Sequence, residues 1–206
     1  FTGSNCYLPV PDSSVFPGAT GKWRNSSGQL LDPELIPDNV ADTYTVDAPC
    51  AILYSNGELV FQNNNSADSS KGTVTGIYTG WGTNVYSVAS DVPWYSSRKS
   101  IKKVTFKTTI QPVSTAYWFD SCSNLKDISG IKNLDTRNVV NMESMFEYCS
   151  GLTELDLSGF NTSNVADMNN MFYGCLGLTE LDLSSFDTSN VVSMYGMFLG
   201  SEELAD

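Results

Sequence analysis

The stretch LTELDLSGFNTSNVADMNNMF, Leu152–Phe172, is followed at once by YGCLGLTELDLSSFDTSNVVSMYGMF, Tyr173–Phe198. The second copy repeats the first nearly residue for residue. Phe146, Phe172 and Phe198 stand 26 positions apart, as do Cys149 and Cys175, Leu152 and Leu178, Leu155 and Leu181, Phe160 and Phe186, and Met168 and Met194. An active site needs one copy of each reacting group, whereas a stack of structural units needs many. Repetition at this period is the mark of a repeat architecture.

Within each unit, LTELDLS places Leu152, Leu155 and Leu157 in an LxxLxL pattern whose second half alternates as a short strand does. TSNVADMNNMF places Val165, Met168, Met171 and Phe172 at the spacing of one helix face. Thr162 or Asn164 could cap that helix through a side-chain oxygen. Asn124, Gly151 and Gly177 share one register past its end and suit a left-handed cap. The spacing therefore predicts strands at about 103–107, 126–130, 153–158 and 179–184, with Leu155 and Leu181 buried and neighbouring.

Working outward, CSNLKDISGIKNLDTRNVVNMESMF (Cys122–Phe146) is an earlier copy with one extra residue, and a fainter one begins at IKKVTFKTTI (Ile101–Ile110). LGSEELAD begins a further unit in which Ser201 replaces the Cys and Glu203 the Gly. One unit buries too little to fold alone, so stacking is obligatory. Cys122, Cys149 and Cys175 fall in one register. They suit a column of small buried side chains better than a metal or redox ladder, because no second ligand type recurs beside them.

Composition narrows the function. The formal charge is −12, from 11 basic and 23 acidic residues, and no Lys/Arg cluster exists to meet a phosphate backbone, so nucleic acid is not an expected partner. Histidine is absent, which removes the commonest general base, the usual zinc ligand and every Ser-His or Cys-His pair. No enzyme, metal or cofactor is expected. No apolar run is long enough to span a bilayer.

The motifs LDLSGFNTSNVADMNNMF and LDLSSFDTSNVVSMYGMF resemble the repeat of BspA-like leucine-rich-repeat surface proteins, abundant in mycoplasma lipoproteins and in gut and oral bacteria. The resemblance covers Ile101 onward. It implies a secreted, surface-attached bacterial protein that adheres to host or neighbouring-cell proteins without catalysis. Together with the periodicity it gives an expected α/β repeat fold. That fold is a right-handed leucine-rich-repeat solenoid of about four 26-residue strand–helix units at 101–206, the last incomplete.

Upstream, residues 1–45 are rich in Pro, Asp, Ser and Gly without periodicity and read as an irregular segment. Residues 46–100 read as a small β-rich cap. AILY and ELVF flank Asn56-Gly57 as a hairpin, and GTVTGIY and NVYSV are further strand candidates. Cys6 and Cys50 flank the first segment and could pair in an exported protein. Trp81, Tyr86, Trp94 and Tyr95 form an aromatic cluster with two readings, a carbohydrate platform or the cap's own core. A purely structural spacer is the remaining alternative. The candidate binding face is the outward side of the strands: Lys103, Asp127, Glu154 and Glu180 in one column, with Asp156 and Asp182 beside it, facing a basic protein surface.

Overall fold

The computed structural model describes residues 22–24, 30–31, 45–47 and 49–204. Three short strands, β1 (Lys22–Arg24), β2 (Leu30–Leu31) and β3 (Thr45–Asp47), form an antiparallel sheet in the order β2-β1-β3. A mixed five-stranded sheet follows, built from β4 (Cys50–Tyr54), β5 (Glu58–Gln62), β6 (Val74–Thr79), β7 (Lys103–Phe106) and β8 (Asp127–Ser129). Its order is β6-β4-β5-β7-β8. The first three strands pair antiparallel, whereas β7 and β8 add in parallel.

The β4–β5 hairpin turns at Ser55–Gly57, where Gly57 adopts φ 87° and donates its N–H to the Tyr54 carbonyl at 2.9 Å. Asn56 Oδ1 accepts from the Glu58 N–H at 2.9 Å. Both residues of the expected Asn-Gly turn therefore act in it. NVYSV forms no strand.

The strand–helix solenoid is overturned. Among the described residues the helical elements are three-residue 3-10 turns, and none lies after Leu134. Where a helix was expected, each unit makes consecutive tight turns. In the 142–149 unit, Met145, Glu147 and Cys149 donate N–H to carbonyls three residues back. The alternate residues Met142, Ser144, Phe146 and Tyr148 donate instead to Asp167, Asn169, Met171 and Tyr173 of the next coil, at 2.7–3.0 Å. The backbone is thus satisfied half within a coil and half between coils. This needs two left-handed residues per coil: Tyr117 and Ser121, Ser144 and Tyr148, Asn170 and Gly174, Gly196 and Gly200. Such residues cannot continue an α-helix. The turns still bring positions three and four apart onto one inner face, which is why the apolar spacing imitates a helix.

The expected capping side chains bridge coils instead. Thr162 Oγ1 donates to the Asp187 carbonyl at 3.0 Å and accepts the Asp187 N–H at 2.8 Å, and Thr136 does the same with Asn161. Asn164 Nδ2 donates to the Arg137 carbonyl at 2.8 Å. Gly151 and Gly177 are not left-handed. A Cβ on Gly177 would lie 2.5 Å from the Leu152 carbonyl oxygen, so close approach of the preceding coil sets that residue.

The strands expected at 103–107 and 126–130 appear as β7 and β8, but 153–158 and 179–184 form none. Isolated parallel bridges (Ser114 with Asn141, Asn141 with Asp167, Asp167 with Ser193) carry the register through the later coils. Leu155 and Leu181 are half-buried against the core and not enclosed by it, because no ladder pulls their backbones together.

One apolar core runs from Ala51 to Met197. Phe119, Phe146, Phe172 and Phe198 stack along it with centroids 5.7–5.8 Å apart. At its closed end Phe61 stacks on Phe106 and Trp118 and meets Trp81 and Trp94 edge-on at 5.2 Å.

Candidate functional site

The thiol column is structural. Cys149 Sγ donates to the Phe119 carbonyl and Cys175 Sγ to the Phe146 carbonyl, each at 3.1 Å. Burial pushes the thiols of Cys122 and Cys175 up to about 12. Ser201, in the same register, donates its hydroxyl to the Phe172 carbonyl at 2.7 Å, so the substitution preserves the bond. Among the described residues no cluster of three or more His, Cys, Asp or Glu side chains could hold a metal. Cys50 is a free buried thiol whose Sγ lies 2.6 Å from the Asn64 carbonyl oxygen. Cys6, its expected partner, lies outside the described residues.

The aromatic cluster belongs to the core. Trp81 and Trp94 are fully buried and Tyr86 nearly so. Trp94 Nε1 donates to the Trp118 carbonyl at 2.6 Å, and Trp81 Nε1 to the Tyr78 carbonyl at 3.1 Å. Tyr95 is half-buried under the Arg98 guanidinium, 3.8 Å from its ring centroid. Neither tryptophan has a ring face open to stack on a sugar, which corrects the platform reading.

The outward acidic residues do converge. A concave groove of about 710 Å³ is lined by Lys126–Ile128, Thr153–Asp156 and Thr179–Asp182. It holds five of the six expected residues: Asp127, Glu154, Asp156, Glu180 and Asp182. The groove lies over the stretch in which the strand ladder lapses after β8. The spacing of about 4.8 Å that paired strands would impose therefore does not hold for these later carboxylates.

Lys103 sits beside the groove on β7, its Nζ 2.6 Å from Asp127. That hydrogen bond lowers the Asp127 carboxyl and raises the Lys103 ammonium. Asp156 is lowered first by the Ser158 hydroxyl and N–H, and Lys132 Nζ lies 3.4 Å away. Asp182 is lowered by Ser184, against the opposing effect of Asp156. The three aspartates are held ionised by their local hydrogen bonds and remain exposed to solvent.

Sequence reasoning missed two contributors. Lys132 reaches Asp156 from the one-residue expansion GIKN, which was read as a spacing irregularity and not as a source of charge. Glu58, on β5, pairs in register with Lys103, so the charged column continues across the sheet. Its place at the head of the apolar strand ELVF was the available signal.

A family model described as "Mycoplasma protein of unknown function, DUF285" matches residues 113–206, the coiled part of the chain. No curated protein and no solved structure matches. No helix among the described residues is long and apolar enough to cross a membrane.

Proposed function

We propose that this chain is a non-enzymatic binding module of a bacterial surface protein, and that its acidic groove receives a basic patch on a host or neighbouring-cell protein. The observation that carries the reading is the convergence of Asp127, Glu154, Asp156, Glu180 and Asp182 on one concave face of about 710 Å³. Of the nearby cations, Lys103 and Lys132 pair with Asp127 and Asp156, and Lys126 in the lining offsets one more charge, which leaves the acids in excess. A negative concavity focuses its field and draws cationic partners. The resemblance to exported repeat proteins and the match to a mycoplasma family support the surface setting.

The test is capture of extracellular-matrix and mucin proteins by the immobilised chain, beside the double variant Glu154→Gln, Asp182→Asn. Binding should weaken about tenfold or more in the variant and fall with added salt. Equal capture by both proteins at low salt would refute the groove as the binding face.

A further inference from the structure

The charges of this chain are sorted along the stack. Residues 98–137 carry eight basic and three acidic side chains, whereas residues 138–198 carry eight acidic and no basic ones. The strand side shows the same order. Lys102 and Lys126 are neighbours at its cap end, where the Lys102 N–H donates to the Gly57 carbonyl at 2.8 Å and the Lys126 N–H to the Lys102 carbonyl at 2.9 Å. Glu154 and Glu180 follow on the next two coils and line the groove with Lys126. Around them the other charges are engaged within the molecule. Lys103 pairs with Asp127 and Lys132 with Asp156, while Asp182 Oδ1 accepts the Ser184 N–H at 2.8 Å. Lys102, Lys126, Glu154 and Glu180 are exposed, and among the described residues none of them forms an ion pair. Four successive coils thus present two unpaired cations and then two unpaired anions.

We propose that this face docks a second copy of the chain, face to face and with its stack reversed. The proposal rests on the reading of the groove as a binding face and names its partner. A two-fold axis running along the strands reverses the coil order while joining one patch to its own copy. Lys102 of each copy then lies over Glu180 of the other, and Lys126 over Glu154. A uniformly basic surface would satisfy the two glutamates but would oppose Lys102 and Lys126 at the cap end. A partner that is acidic at one end and basic at the other matches both, and this chain has that order. Charge complementarity of this kind fixes orientation and steers encounter. Between neighbouring cells the same contact would be homotypic adhesion.

The experiment is sedimentation velocity over a concentration series, on the chain and on two charge-reversed double variants, Lys102→Glu with Lys126→Glu and Glu154→Lys with Glu180→Lys. Denaturant midpoints establish that both variants are folded. The unaltered chain should form dimers at low salt and dissociate as salt is added. Each variant alone should associate at least about tenfold more weakly, and an equimolar mixture of the two should recover dimers, because the reversed charges again face their opposites. An unaltered chain that stays monomeric at low salt up to about 1 mM would overturn the proposal. So would dimers that both variants retain, a mixture of folded variants that stays monomeric, or species that grow beyond the dimer, which would assign a head-to-tail contact. A monomeric chain that still captures matrix or mucin proteins through Glu154 and Asp182 would sink this proposal and leave the groove reading standing. Dimers without such capture would uphold it and confine the groove's partner to the chain itself.

Discussion

Lys71 Nζ lies 2.8 Å from both carboxylate oxygens of Glu58, a buried residue at the head of hairpin strand β5. The Thr105 hydroxyl adds a third bond at 2.7 Å. Burial alone would raise this carboxyl, but the bonds from Lys71 and Thr105 outweigh it and the group is lowered. The cap is thus tied to the first parallel strand through a charged residue.

Because the folded carboxyl is lowered, its stabilisation is complete above the unfolded glutamate range near pH 4.3 and is lost as pH falls through the folded value. Glu58→Gln should cost about 1–3 kcal/mol at neutral pH. Urea midpoints of the two proteins should converge as pH falls below the folded carboxyl's lowered value, since protonation then does what the substitution did.

The thiol column makes the opposite prediction. Folded thiols raised to about 12 at Cys122 and Cys175 keep their protons where unfolded thiols, near 8.5, lose theirs. Stability should be full below about pH 8.5 and fall as pH rises beyond it. At neutral pH an alkylating reagent should leave Cys122, Cys149 and Cys175 unmodified until denaturant unfolds the chain, as read by mass spectrometry.

Gly177→Ala should destabilise by about 1–3 kcal/mol, because the added methyl meets a backbone oxygen that only a shift of the preceding coil can relieve. A thermal melt compared with that of Leu176→Ala, an exposed neighbour, separates this clash from local helical or strand preference.

Met168→Ala should cost about 2–5 kcal/mol, since the side chain is fully enclosed between coils. Leu155→Ala should cost clearly less, because Leu155 is only half-buried beside the groove. Denaturant midpoints of the two variants should keep that order.

The repeat, its register, the parallel pairing of β7 and β8 and the acidic face could be read from the sequence, because each follows from spacing alone. The helix could not be told from its substitute. Val165, Met168, Met171 and Phe172 lie inward whether the chain winds as a helix or as successive turns. The difference rests on residues such as Ser144 and Tyr148, whose left-handed backbone no propensity would suggest. The same gap hid the roles of Thr162 and Asn164. A polar residue ahead of an apolar run looks like a cap until the neighbouring coil is present to receive it. Depth was misjudged at Leu155 and Leu181, since an LxxLxL pattern implies a ladder that lapses there.

The left-handed pairs also change along the chain. They are Tyr117 and Ser121, then Ser144 and Tyr148, then Asn170 and Gly174, then Gly196 and Gly200. A side chain in that conformation costs about 1–2 kcal/mol and glycine very little. The conformational burden is therefore equal in the coils at 117–121 and 144–148, smaller at 170–174 and absent at 196–200. This grades the molecule by order of assembly. The two coils that carry the full cost, at 117–121 and 144–148, are the two nearest the tryptophan cluster. Growth outward from the cap is then the downhill direction, and unwinding should begin where the glycines are.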